Sequence, residues 1–199
     1  MSLLGGVWQS TTLAGTPSRT GVSGEAGHPG IVRHTLTDNP SGVVLATPTK
    51  VQGSLPIGLQ WQVTLRLIDG VTSCEWWSGF ASDPDRVSTG TIDFVGVRWD
   101  GADLKGVCRS GTSESTVSLG ALSAGQWVTV TLTRTAAGVV FTLINASDRA
   151  VVAVESAGTV SANIPTGPFY WVAVGGYSTT TSDRSCDIDA WGVGGRTAR

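Results

Sequence analysis

Strict alternation of apolar and polar residues over nine positions most narrows what this chain can fold into. In Leu59–Leu67, residues Leu59, Trp61, Val63, Leu65 and Leu67 share one face, and Gln60, Gln62, Thr64 and Arg66 share the other. A period of two over that length predicts a strand with one buried and one wet face. Val128–Arg134 repeats the pattern. Val139–Asn145 is β-branched and aromatic, and Ala136-Ala137-Gly138 separates the two runs as a hairpin turn. With a turn at Asn145–Arg149 and a strand at Val151–Val154, residues 127 to 155 read as a three-stranded antiparallel meander. Further strands are expected at Gly42–Thr47, Glu75–Phe80, Ile92–Trp99, Gly106–Ser110, Phe169–Gly175 and Asp187–Val193. No window sustains the i, i+3, i+4, i+7 spacing of a helix, and residues 101 to 125 carry too much Gly, Ser and Thr for a long one. Short strands at regular spacing, punctuated by Gly, Pro and Asp, indicate an all-β sandwich or barrel.

Composition removes several function classes. Only 14% of the 199 residues are charged, against about 25% in an average domain, so Ser, Thr and Gly must cover the surface. A net charge of −2 leaves no general basic field for a nucleic-acid backbone. No apolar run reaches the roughly 18 residues of a membrane helix, and the start, Met1–Gly6, lacks the basic and apolar regions of a signal peptide. Three cysteines, Cys74, Cys108 and Cys186, stand far apart with no Cys-x-x-Cys, and read as buried apolar thiols.

The first fifty residues differ from the rest. Gly21–Gly30 is loop-like, and two accounts compete: a flexible N-terminal arm, or a long loop that belongs to the sandwich. Residues 1–26 are taken as an arm or docking segment and 27–199 as the sandwich domain. Trp8 and Leu13 suit a docked arm better than a solvated tail.

The search for chemistry finds little. A glycosidase on a β-sandwich needs two facing carboxylates about 5 to 9.5 Å apart, and the usual same-strand spacings, Glu-x-Asp or Glu-x-x-x-Glu, do not occur. Asp187-Ile188-Asp189 is an acidic pair expected on one strand face, and Asp83-Pro84-Asp85 is another in a loop. Each reads either as a metal or acid–base pair or, with more weight, as a solvated face or turn. Asp100-Gly101-Ala102-Asp103 reads as a strand-joining turn rather than a Ca²⁺ loop. His28 and His34 show no ligand or nucleophile spacing. No catalytic residue, metal site or cofactor is expected.

Trp76-Trp77 is the most suggestive aromatic feature. Adjacent strand residues point to opposite faces, so one ring can enter the core while the other offers a stacking platform for sugar or an interface anchor. Alternatively both are covered. Tyr170 and Trp171 pose the same choice.

The order of segments resembles a known family. It runs from Gly27-His28-Pro29-Gly30-Ile31-Val32 to Gly79-Phe80, Phe94–Asp100 and Gly106–Arg109. Then come Trp127 leading Val128–Arg134, Val139–Asn145, and Asn163-Ile164-Pro165-Thr166-Gly167. This is similar to the concanavalin-like (laminin-G/lectin type) β-sandwich modules of tailed-bacteriophage virion proteins, over Gly27 to Val193. The Asn-Gly turn expected after the Phe strand is Asn145-Ala146 here. The resemblance implies an antiparallel two-sheet β-sandwich of jelly-roll type, displayed on the virion surface after synthesis in the host cytoplasm. It implies a non-enzymatic structural protein that decorates the capsid or forms a head fibre, docked by its own face and its arm. Its partners would be other virion proteins and copies of itself as a homo-oligomer. The alternative is a tail or head adhesin that binds a host surface glycan. A third reading, a polysaccharide lyase or hydrolase, requires Asp187, Asp189, Glu75 or a His to line a groove.

Overall fold

A computed structural model describes residues 9–25, 28, 30–37, 41–46, 54–69, 73–101, 103–145 and 154–195. Among the described residues fourteen strands follow one another: β1 (Gln9–Ala14), β2 (Ser18–Gly21), β3 (Val32–Leu36), β4 (Ser41–Ala46), β5 (Leu59–Leu67), β6 (Cys74–Ala81) and β7 (Phe94–Asp100), then β8 (Asp103–Ser110), β9 (Ser113–Ala121), β10 (Val128–Arg134), β11 (Val139–Asn145), β12 (Val154–Val160), β13 (Tyr170–Ser178) and β14 (Arg184–Gly195). They form two seven-stranded sheets. Sheet A has the order β1-β4-β13-β6-β7-β8-β9, and sheet B the order β12-β11-β10-β5-β14-β3-β2. Every pairing is antiparallel. The fold is the concanavalin-like β-sandwich.

The alternating segments fall where their period places them. Trp61, Val63 and Leu65 of β5, with Val128, Val130 and Leu132 of β10, face inward from sheet B and meet Trp76, Phe80, Val97 and Trp99 of sheet A. Each such side chain contributes about 1.5–3 kcal/mol on burial. Phe141 lies flat against β8 because position 106 is glycine: a Cβ there would stand 2.4 Å from its ring. The Ala136–Gly138 turn joins β10 to β11, as expected, with Arg134 opposite Val139.

A second apolar cluster lies on the outer face of sheet A. Trp77, Phe94, Val107 and Val172 rise from the strands, and Val87 and Ile92 cover them from above. The cover is the 3-10 helix Pro84–Thr89, capped by Asp83, whose Oδ1 accepts from the Asp85 amide at 3.2 Å. Arg109, 2% exposed, ties the helix down by donating to the Val87 and Ile92 carbonyls at 2.7 and 2.9 Å. Two apolar layers therefore flank β6, and both tryptophans of Trp76-Trp77 are buried, at 2% and 1% exposure. Neither offers a stacking face, so of the two alternatives for this pair the covered one holds and the surface platform does not.

Residues expected as an arm contribute edge strands: β1 pairs with β4 on sheet A, and β2 pairs with β3 on sheet B. Leu13 packs against the Trp77 cluster. Trp8, the Asn145–Arg149 turn beyond Asn145, and Val151–Ala153 lie outside the described residues. The three cysteines are buried and unbridged.

Candidate functional site

Beside the Trp77 cluster, the outer face of sheet A is polar. The register sets Asp100 of β7 opposite Glu75 of β6, and Glu75 opposite Tyr177 of β13. Directly opposed strand residues have Cβ atoms about 4.5–5.5 Å apart, so the three form one row. A pocket of about 680 Å³ opens over that row, with Asp85, Ser73, Thr179 and Leu13 completing its walls.

Three features of the chain build this pocket. Gly42 leaves room for the Tyr177 ring, since a Cβ there would stand 2.9 Å from its Cδ2 and 2.9 Å from the Leu13 Cβ. Ser73 sits in the left-handed region at φ 60, a conformation uncommon for a non-glycine residue. Its carbonyl is held by the Thr179 amide at 3.0 Å. The 3-10 helix brings Asp85 over the sheet.

The electrostatics of the pocket are uneven. Arg98 donates twice to Glu114, at 2.7 and 2.9 Å, and twice to Asp100, at 3.0 and 3.2 Å. Lys105 donates to the other Asp100 oxygen at 2.7 Å, and Arg109 reaches Glu114 at 3.3 Å. The cations are thus engaged by Asp100 and Glu114. Glu75 receives none of these bonds, and its buried Oε1 has no hydrogen-bond partner. Burial pushes the Glu75 carboxyl up to about 7, with Asp100 and Glu114 adding to the rise against the pull of Arg98 and Arg109. Burial and Asp83 also raise the Asp85 carboxyl. Near neutral pH, Glu75 is a half-protonated acid in a pocket, able to donate as well as accept.

A second polar cluster, on sheet B, has the opposite character. Asp187 is fully buried and accepts four bonds: from Arg33 at 2.7 and 2.9 Å, and from Arg66 at 3.1 and 3.0 Å. Arg66 also grips Glu25, and its guanidinium lies 4.6 Å from the centre of the Trp127 ring. His28 stacks on Trp127 at 4.0 Å, and its Nδ1 meets Asp189 Oδ2 at 3.1 Å. Register shifts between Ile188 and Ala190, so Asp187 and Asp189 do not follow simple alternation. Both are engaged by partners that fasten the Val22–Ile31 segment to the sheet. His34 is buried on β3 with both ring nitrogens unpartnered, and burial lowers it to about 4, so it stays neutral.

Of the residues the sequence singles out, Glu75 and Leu13 reach the pocket, and Asp85 and Asp100 join them. Tyr170 and Trp171 are partly exposed and stand elsewhere on β13; Trp171 packs on Trp191 at 5.9 Å. Tyr177, the pocket's aromatic residue, was not among the expected ones. Its place follows from the pairing of β13 with β6, which no local pattern encodes. The same holds for the facing carboxylates: they lie on neighbouring strands, where a search for same-strand spacing does not find them.

No family model and no curated protein matches the chain. Solved structures do. A protein of unknown function from Shewanella oneidensis MR-1 superposes with TM-score 0.67 at 15% identity, over 92% of this chain and 75% of that one. The Ca²⁺/Man-bound exoplasmic/lumenal domain of VIP36 gives 0.63 at 10%, over 97% and 84%. The catalytic domain of a GH131 β-glucanase from Podospora anserina gives 0.55 at 15%, over 85% and 73%. At these identities the likeness is one of fold. Among the described residues, no group of three or more His, Cys, Asp or Glu gathers to hold a metal.

The glucanase likeness corrects the exclusion of an enzyme. This sandwich serves as a catalytic domain in a remote neighbour, so the non-enzymatic reading of the sequence does not stand.

Proposed function

We propose that this chain is a glycan-binding domain of a bacteriophage surface protein, taking sugar in the pocket around Glu75. The row Asp100–Glu75–Tyr177 carries the binding half of the proposal. Sugar hydroxyls need partners that both accept and donate, and a flat ring to lie against. Asp100 accepts, Glu75 does both near neutral pH, and the partly exposed Tyr177 ring offers the face. The Man-bound VIP36 domain and the β-glucanase domain among the fold neighbours support the same ligand class. The order of motifs from Gly27 to Val193 supports the virion half. Host recognition is favoured over capsid decoration because Leu13, a docking-arm candidate, packs within its own domain.

The test is a glycan array probed with the intact chain, followed by calorimetry on any hit. Glu75→Gln and Tyr177→Ala should each weaken binding; lost stacking at Tyr177 alone costs about 1 kcal/mol. Unchanged affinity in both variants would remove the pocket from the account.

A second reading rests on the same carboxyl. An acid with its pKa near 7, opposite the Asp100 carboxyl, has the pairing that glycoside hydrolysis uses, one group protonating the leaving oxygen and the other acting on the opposite side. Release of reducing ends from a bound glycan, lost in Glu75→Gln while binding persists, would establish it.

A further inference from the structure

The outer face of sheet B carries a groove of about 420 Å³ that the pocket account leaves unused. Its floor is built from two rows across three strands. Gly192, Gln62 and Thr131 form one row, and Gly194, Gln60 and Thr133 the next. Along a strand the rows lie about 7 Å apart. Both glutamines are exposed. Among the described residues, no hydrogen bond engages the amides of Gln60 and Gln62 or the hydroxyls of Thr131 and Thr133. No charged side chain lines the groove.

The two glycines are a separate observation. Glycine inside a strand weakens it and often marks a place where a ligand or another chain comes close. At Gly192 and Gly194 neither backbone conformation nor packing asks for glycine. Neither has a left-handed φ, and a Cβ built on either meets nothing within 4 Å. The side chains are missing toward the groove alone.

The chemistry of the lining selects the occupant. Four uncharged groups that donate and accept match hydroxyls and leave a charged ligand without a counter-ion. A protein interface needs an apolar centre, and Ile57 is the one large apolar side chain exposed among the described residues. We propose that this groove is a second binding site, for a neutral oligosaccharide, on the sheet opposite the Glu75 pocket. The domain would then present a sugar site on each face and could bridge two glycan chains.

The test is a titration of the isotopically labelled full chain with cellohexaose, laminarihexaose and maltohexaose, followed by NMR at the glutamine side-chain amides. With at least one of the three, the Gln60 and Gln62 amide signals should move. Gly192→Val fills the groove where its Cβ meets open space, so the protein should stay folded while affinity falls about tenfold or more. Glu75→Gln, on the other face, should leave these shifts intact. Failure of the amides to move with all three sugars would overturn the proposal. Equal shifts in Gly192→Val, or shifts confined to residues of the Glu75 pocket, would also overturn it. A concentration-dependent dimer that moves the same amides without sugar would assign the face to a second copy instead. Loss of the Glu75 pocket reading would leave this result unaffected, since Gly192→Val and Glu75→Gln report on separate faces.

Discussion

Asp187 and Glu75 are both acidic side chains held on the outer face of a sheet, and their surroundings could hardly differ more. Asp187 is wholly buried and receives four guanidinium N–H bonds, so its charge is compensated. Glu75 has arginines nearby, yet they bond to Glu114, Asp100 and backbone carbonyls, and a Glu75 oxygen is buried without a partner. A satisfied buried charge is part of the scaffold. An unsatisfied one, facing a pocket, is available to a ligand.

The sharpest way to break this contrast is to remove each carboxylate. Asp187→Ala takes the carboxylate partner from Arg33 and leaves Arg66 paired with Glu25 alone among the described residues. Urea denaturation should show a loss of about 3 kcal/mol or more. Glu75→Gln keeps the shape and removes a group already neutral for much of the acid range, so stability at pH 5 should change by less than about 1 kcal/mol. Equal losses would erase the distinction.

Next in size are two opposed pH effects. Native His34 resists its proton down to about 4, while the unfolded residue takes it near 6.5. The unfolded state therefore binds more protons in that window, and stability falls as pH drops through it, by up to about 3 kcal/mol. Native Glu75 keeps its proton up to about 7, while the unfolded residue loses it near 4.5. Its contribution is complete at low pH and is lost as pH rises through that window, by a similar amount of about 3 kcal/mol. Between pH 4.5 and 6.5 the two slopes oppose one another. Denaturation midpoints of the wild type should stay nearly flat there. In Glu75→Gln they should climb with pH.

A smaller effect concerns the pocket wall. Gly42→Ala pushes against the Tyr177 ring and the Leu13 Cβ. It should cost about 1 kcal/mol of stability and weaken any pocket ligand without touching a polar group. Smallest of all, Gln60→Ala should change stability by no more than about 0.5 kcal/mol, readable as an unchanged melting temperature.

The strands legible in the sequence are those whose period is clean. β5 and β10 alternate without interruption, and their inward residues form the core as read. β9 escaped notice because it is a sheet-edge strand, Ser113–Ala121, with Leu119 its single buried residue, so the apolar half of its pattern is nearly empty. β3 hides its period behind His34, a polar type at a fully buried position. Trp76 and Trp77 were rightly seen to face opposite ways, but the cover over Trp77 comes from the Pro84–Thr89 helix and Ile92, a tertiary contact no dipeptide reveals. The pocket depends on register: Asp100, Glu75 and Tyr177 are distant in the chain and meet because β7, β6 and β13 pair as they do. Glu75 could be flagged as one of few glutamates; its partners could not.

The most direct test of the central claim is the titration of the glutamate carboxyl carbons by NMR. The chain has four glutamates, Glu25, Glu75, Glu114 and Glu155. One carboxyl should titrate near pH 7, and that signal should vanish in Glu75→Gln. If all four titrate below about 5, in the ordinary range of the side chain, Glu75 is as well satisfied as Asp187 and the contrast between the two faces falls.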